Sequence, residues 1–289
     1  ESFKKMVIAI IGASGFIGNR IFHSLSIKNT FNLIGTFYKH KTSSEFIHLD
    51  VTSIEQIKQF LIRYRPSLIF WLAGSKDLNE CENDIKYAYR INTQPIIDFY
   101  QIKKRINLDS RLVFFSTDYV FDGVKGNYKD NDVGNPKTNY GIANKLAEDA
   151  IRHGSNNDLI IRTSAAMGRG GQFFDWLTKS LVDDKEVKMF NDIFFSPTPI
   201  QLLSEATEYL INHRRSGIIH ICGGLRLSRF EFAKILLGIN KTFSATIVPI
   251  SASNASNPFQ NDLSLIKSNI CEKFQTKDFE NYIREELLS

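Results

Sequence analysis

Short apolar runs alternate with longer stretches of helical periodicity from the start of the chain to about residue 162. The runs are Met6 to Ile11, Phe31 to Phe37, Phe46 to Leu49, Leu68 to Leu72, Leu112 to Phe115 and Leu159 to Ile161, all rich in Ile, Val and Phe. Between them, Phe16 to Ile27, Ser53 to Tyr64, Ile85 to Lys104 and Asn139 to Arg152 carry the spacing of helices with one buried face. Strands separated by helix-length segments pair in parallel through crossovers, so the pattern predicts an α/β fold with a doubly wound parallel sheet.

After Arg162 the alternation becomes irregular, with a glycine-rich turn at Gly168 to Gly171 and proline-bearing loops at Ser196 to Pro199 and Ser251 to Pro258. Helical patterns at Gln201 to Asn212, Ser228 to Leu237 and Lys277 to Leu288 surround two strand-like pieces, Gly217 to Cys222 and Ala245 to Ile250. The expected division is a first domain over residues 1–162 and a smaller α/β lobe over 163–289, with some segments free to cross back.

Composition changes this picture little: 289 residues, 43% of them hydrophobic, suffice for a substantial core. The net charge of +5 suits an anionic small molecule and is too mild for a nucleic acid polymer. Cys81, Cys222 and Cys271 lie far apart, so neither a metal site nor a disulfide framework is expected. The apolar run after Lys4 and Lys5 is too short to span a membrane or direct export, and a cytoplasmic protein is expected.

Candidate chemistry begins at Gly12-Ala13-Ser14-Gly15-Phe16-Ile17-Gly18, directly after the first strand and opening a helix. In that context glycines permit a tight turn and a close approach of backbone N–H groups to a pyrophosphate, with the helix N-terminus favouring the charge. The turn alone is equally compatible with no ligand. At the end of the second strand, Gly35-Thr36-Phe37-Tyr38-Lys39-His40-Lys41 offers no carboxylate for a ribose 2'-hydroxyl. Lys39 or Lys41 is placed instead to pair with a 2'-phosphate, which favours NADPH over NADH unless the pair is only a solvated turn.

The G-x-x-G-x-x-G spacing is similar to that of the short-chain dehydrogenase/reductases, and further segments agree in order and separation. His48-Leu49-Asp50-Val51 resembles the strand end that reaches the adenine, Trp71-Leu72-Ala73-Gly74 the fourth-strand motif lining the cofactor, and Asn92 a structural asparagine. Ser116-Thr117-Asp118-Tyr119-Val120-Phe121-Asp122-Gly123, followed by Pro136 and Tyr140-Gly141, closely resembles the dTDP-4-dehydrorhamnose reductase family. The resemblance covers nearly the whole chain and is looser after residue 165. It implies hydride transfer from the nicotinamide to the keto carbon of a nucleotide-linked 4-keto-6-deoxy sugar, in polysaccharide biosynthesis. Tyr140 would give its proton to the developing alkoxide and Thr117 would hydrogen-bond that oxygen. Asp118, Val120, Phe121, Ser164 and Arg169 would face the sugar nucleotide, and a homodimer is left open.

The family pattern is Y-x-x-x-K, whereas here Asn144 follows Tyr140 by four residues and Lys145 by five. On a regular helix one residue rotates a side chain by roughly 100°. Three alternatives stand: a π-bulge that returns Lys145 to the site, Asn144 as its substitute, or a fold that binds cofactor without turnover. Later segments also depart. Ala165 and Ala166 follow Arg162-Thr163-Ser164 where an aromatic is usual, Asp192 and Ser196-Pro197-Thr198 survive from a D-Q-x-G-S-P-T loop, and Asn257 precedes Pro258 in place of a basic residue. Arg169, Arg226 and Arg229 are candidates for a diphosphate, against the plainer role of surface arginines. A 4,6-dehydratase or epimerase and a noncatalytic regulatory subunit on the same fold are the competing readings. The dehydratase family carries Asp-Glu after the threonine, where this chain has Asp118 and Tyr119.

Overall fold

A computed structural model of the chain describes residues 5–254 and 260–288. From the N-terminus run β1 (Val7–Ile11), α1 (Phe16–Ile27), β2 (Asn32–Phe37), β3 (Ile47–His48), α2 (Ile54–Tyr64), β4 (Leu68–Trp71), α3 (Leu78–Asn83), α4 (Ile85–Asn92) and α5 (Gln94–Arg105). They continue with β5 (Arg111–Thr117), a 3-10 turn at Asp118–Val120, α6 (Asn139–Gly154) and β6 (Leu159–Thr163). Beyond these lie β7 (Ala166–Met167), α7 (Gln172–Asp183), β8 (Glu186–Phe190), β9 (Phe194–Phe195), β10 (Thr198–Pro199), α8 (Ile200–Asn212) and β11 (Gly217–Ile221). The last elements are β12 (Leu227–Ser228), α9 (Arg229–Ile239), β13 (Thr246–Ile250) and α10 (Phe279–Leu288), with short 3-10 turns at Ala252–Asn254 and Asn269–Lys273.

Seven strands form one sheet in the order β11-β6-β5-β4-β1-β2-β3, and β1 through β5 pair in parallel. Strand order reverses between β1 and β4, and in doubly wound sheets ligands bind beyond the strand C-termini at such a point. The chain forms two compact units: one holds residues through 120, 134–161 and 207–219, the other 121–133, 162–206 and 220 onward. Residues 207–219 were expected in the later lobe. They join the first unit because β11 extends the sheet at its edge.

In the first unit the sheet and helices bury Ile11, Trp71, Phe99, Leu112 and Phe114 in a single core. Two buried carboxylates are satisfied inside it: Asp158 accepts from the Leu112 amide at 2.7 Å and the Tyr100 hydroxyl at 2.6 Å, and Glu148 accepts from the Ser116 hydroxyl at 2.6 Å. The single helix expected over Ile85 to Lys104 is broken at Thr93 into α4 and α5. Pro95 has no N–H to continue the ladder, and the Thr93 hydroxyl donates to the Ala143 carbonyl of α6 at 2.7 Å. Helices α3 and α7 and strand β8 were not expected. Asp77 caps α3 by accepting from the Glu80 amide at 2.9 Å.

The second unit packs Phe174, Leu177, Phe232 and Leu236 together beside three two-stranded ladders, β7 with β10, β9 with β12 and β8 with β13. His220, fully buried, places Nδ1 3.1 Å from the Tyr128 carbonyl, and its backbone N–H donates to Ser268 Oγ, which donates to Asp130. Burial, and then the charge of Arg162, push the His220 pKa down to about 4 from its ordinary 6.5. The unfolded chain therefore binds one more proton than the folded chain between those values, and stability falls as pH drops through that window. A loss on the order of 3 kcal/mol between pH 6.5 and 4 is expected from this group in urea titrations. A His220→Gln variant whose pH profile matches the wild type would sink this assignment.

Candidate active site

Gly12 turns the chain out of β1 with φ +90°, a conformation that side chains rarely adopt. A Cβ on it would lie 2.7 Å from the Ala73 nitrogen, so the turn after β1 sits directly on the end of β4. Its amide donates to the Thr36 hydroxyl of β2 at 3.0 Å, a partner that no motif had marked. A Cβ on Gly18 would meet the Gly12 carbonyl at 2.3 Å, so α1 also packs on the turn. Gly15 differs. It is exposed, and a Cβ there would touch only the Gly12 carbonyl at 3.4 Å, an ordinary contact. The protein's own packing does not require that position to be bare, whereas a pyrophosphate on the uncapped N-terminus of α1 would.

Around this turn, Ser14 donates from its amide to the Thr36 carbonyl, and Phe16 and Ile17 open α1. Tyr38, Lys39 and Lys41 are exposed after β2, with the lysine ammonium groups over the rings of Tyr38 and Phe37, and no carboxylate follows before Glu45. Asp50 turns one carboxylate oxygen to the Thr52 amide and hydroxyl, and Val51 and Ala73 pack on the core. The Leu72 amide donates to the Ile11 carbonyl, and Gly74 passes so close to Asn92 that a Cβ would lie 2.4 Å from its Oδ1. That oxygen accepts from the Ser75 amide at 2.9 Å, so Asn92 holds the loop after β4.

Thr117 closes β5, and its buried hydroxyl donates to the Asp118 carboxylate at 3.1 Å and stands near enough to the Tyr140 phenol to favour its ionisation. The Tyr140 ring packs edge-on to Tyr119 at 5.6 Å and against Cys81, Ala88 and Ala143. Thr138 caps α6, the Asn139 amide donates to Glu82, and a Cβ on Gly141 would lie 2.1 Å from the Tyr119 carbonyl, so the helix start is pinned on both sides of the tyrosine. Burial pushes the Tyr140 pKa up, as do Asp118, Tyr119 and Cys81, while the Thr117 hydrogen bond works the other way.

The π-bulge considered for Lys145 is not formed. Helix α6 is regular over Asn139–Gly154, and Lys145 pairs with Asp149 one turn on, at 2.6 Å. Asn144, buried on the Tyr140 face, donates its side-chain amide to the Tyr140 carbonyl at 2.9 Å. The caps before Tyr140 and the Ser116 bond to Glu148 hold the register at both ends, so there is no slack for an extra residue.

In the second unit, the Arg169 guanidinium donates to the Glu286 and Leu287 carbonyls and ends α10, a C-cap rather than a free diphosphate ligand. Arg226 pairs with Asp262 at 2.7 Å and lies over Phe194, and Arg229 lies over Phe195. Ser164 accepts from the Ser196 amide, and Asp192 accepts from Ser251 and Ala252, so both hold loops. Phe121 stacks on Tyr128 and is wholly buried, as is Val120 of the first unit. Asn257 and Pro258 lie outside the described residues. Among the described residues no His, Cys, Asp and Glu cluster is arranged for a metal, and no helix is long and apolar enough to cross a membrane.

A glycine turn at the switch point of a doubly wound sheet, with a strand-end threonine beside a half-buried tyrosine, is the architecture of an extended short-chain dehydrogenase/reductase. Residues 6–287 match the RmlD substrate binding domain, and the chain belongs to that family. A spore coat polysaccharide biosynthesis protein of Bacillus subtilis is 31% identical over 192 residues, 65% of this chain and 66% of that protein. A hypothetical dTDP-4-dehydrorhamnose reductase from Sulfolobus tokodaii superposes with a TM-score of 0.84 at 31% identity, covering 95% of this chain and 96% of that one. The dTDP-4-dehydrorhamnose reductase of Bacillus anthracis, solved in complex with NADP, shares the fold at a TM-score of 0.87 and 22% identity over 99% of each chain.

The three glycines separate in their expected behaviour. Gly12→Ala and Gly18→Ala each lower the thermal midpoint by a shift equivalent to about 1–3 kcal/mol, whereas Gly15→Ala stays within about 0.5 kcal/mol of wild type. Equal losses in all three, measured by calorimetry, would contradict the packing described.

Proposed function

We propose that the protein is an NADPH-dependent reductase of a nucleotide-linked 4-keto-6-deoxy sugar. The observation that carries this reading is the placement of Thr117, at the end of β5, and Tyr140, in the first turn of α6, together beside the sheet's C-terminal edge, one strand from the loop that abuts the glycine turn. Gly12, Gly15 and the first turn of α1 would hold the pyrophosphate, and Lys39 and Lys41 the 2'-phosphate. Bound there, the reduced nicotinamide supplies the hydride. Tyr140, kept protonated by burial, delivers its proton to the alkoxide oxygen as the carbonyl is reduced, and Thr117 orients that oxygen. Sugar and alcohol then differ by one hydride and one proton, and Tyr140 regains its proton from solvent. Asp118, Val120 and Phe121, all buried at the end of β5, would face the sugar nucleotide.

One observation favours a second reading: Asn144 stands where the family lysine would, and its amide is spent on the Tyr140 carbonyl. A cofactor-binding subunit without turnover fits that arrangement. Loss of NADPH absorbance against a panel of nucleotide-linked 4-keto-6-deoxy sugars decides between the two. Turnover that falls about 100-fold or more in Tyr140→Phe, and a weaker preference for NADPH over NADH in the Lys39→Ala, Lys41→Ala double variant, are expected. Intact cofactor binding without oxidation of NADPH on any sugar of the panel would favour the second reading instead.

A further inference from the structure

A crossover helix of a parallel sheet ends where the next strand begins, so the helix C-termini of the first unit gather at the edge opposite the glycine turn and Thr117. Six neighbouring strands, from β2 across β1, β4, β5 and β6 to β11, start along this edge. Backbone bonds between their entries hold them level: Asn32 to Met6, Ser67 to Val7, Arg111 to Ser67 and Gly217 to Asp158. Every one of the six is entered past a basic residue. Lys28 precedes β2, Lys5 precedes β1, and Arg63 and Arg65 precede β4. Lys103 to Arg105 precede β5, Arg152 precedes β6, and Arg214 and Arg215 precede β11.

With Arg111 at the start of β5, these entries hold eleven of the 36 basic residues and two of the 31 acidic ones, Asp109 and Asp158, while Glu208 reaches in from α8 to pair with Lys28. The imbalance exceeds the +5 of the whole chain, so the remainder of the molecule is net acidic. Helix C-termini favour cations, and part of the excess serves that purpose. Arg65 donates to the Asn107 carbonyl, Lys103 to the Ser110 carbonyl, and Arg111 to the Leu210 and Arg215 carbonyls. The rest has no such task. Arg63, Lys104, Arg105, Arg152, Arg214 and Arg215 are exposed and make no hydrogen bond or ion pair among the described residues. Burial lowers the Arg111 pKa and Arg214 adds to that against the pull of Asp158, so like charges are crowded here despite their repulsion.

Two further features of the same edge select the partner. Ile27 and Ile62, in the last turns of α1 and α2, are 84% and 48% exposed among these cations. Between the entries to β6 and β11 opens a cavity of about 390 Å³, lined by Arg152, His153, Ser155, Asn156 and Ser216. Its two carboxylates are already answered, Asp149 by Lys145 and Asp158 by the Leu112 amide and the Tyr100 hydroxyl. Cations entering six adjacent strands span about 24 Å at the usual strand spacing, a broad face rather than a groove that tracks one nucleic acid backbone. No phenylalanine, tyrosine or tryptophan of these entries is exposed to stack a base. Exposed aliphatic side chains surrounded by cations suit the interface of an anionic bilayer, where arginines meet phosphate groups and isoleucines enter the acyl boundary.

We propose that the edge of the sheet where the strands begin is a docking surface for anionic lipid bilayers, with the cavity beside Arg152 receiving a phosphate-bearing headgroup. Docked so, the opposite edge, with the glycine turn and Thr117, faces the aqueous side. Docking needs neither cofactor nor sugar and is tested on the full chain alone, floated with vesicles of phosphatidylcholine with and without phosphatidylglycerol. Binding is expected to the anionic vesicles only and to weaken steeply with added salt. Arg105→Glu, Arg152→Glu and Arg214→Glu together lower the partition by about tenfold or more, whereas Lys234→Glu with Lys241→Glu in the second unit leaves it within about twofold. Ile27→Cys carrying an environment-sensitive fluorophore shifts its emission to the blue on anionic vesicles. Failure of the wild type to float with anionic vesicles at low salt overturns the proposal, as does binding that survives the triple reversal in a protein with an unchanged thermal midpoint. Tighter retention on a mixed-sequence RNA, with the label at position 27 still in water, would make the edge a nucleic acid surface and overturn it too.

Discussion

The space between the turn after β1 and the end of β4 is too small for a methyl group. At 2.7 Å from the Ala73 nitrogen, a Cβ on Gly12 has nowhere to go, and the φ of +90° that carries the chain past this point suits glycine alone. That contact sets the two central strands side by side at the place where the sheet's winding reverses. Gly18 then brings α1 down onto the same carbonyl, and Asn92 ties the following loop back through the Ser75 amide. The C-terminal edge of the sheet is a rigid rim as a result, and Thr117 is delivered to it by the next strand along.

The chemistry depends on how one helix is clamped against that rim. The Thr138 cap, the Asn139 bonds to α3 and the bare Gly141 against the Tyr119 carbonyl fix where α6 starts, and the Glu148 bond to Ser116 fixes its register two turns later. Between those clamps Tyr140 faces Thr117, and the position one turn on belongs to Asn144. An amide there can steady the helix start by accepting no charge at all, which separates the structural task of that position from the electrostatic one.

Much of this was legible in the sequence because it is written in local patterns. Apolar runs of three to seven residues marked the sheet, and the glycine spacing marked the turn, since both express constraints within one element or one connection. What was not legible depends on partners distant in the chain. The break at Thr93 needs the Ala143 carbonyl, the fate of Arg169 needs the end of α10, and the assignment of residues 207–219 to the first unit needs the open edge of β6. Lys145 shows the limit from the other side. Its neighbours in sequence matched a family pattern one residue out of step, and only the clamped helix decides that it pairs with Asp149 instead.

The path of the chain between the two units has a consequence for how the protein is made. The polypeptide passes from one unit to the other at 120, 133, 161, 206 and 219, so neither is a continuous segment. During synthesis the sheet's outer strand β6 waits, with its hydrogen-bonding edge exposed, until some sixty residues later β11 arrives to cover it. An open strand edge is a template for pairing with other chains. The nascent protein therefore passes through an interval of vulnerability in which a nearly complete nucleotide-binding half is still capable of sticking to its neighbours, and a truncation before residue 221 would make that interval permanent.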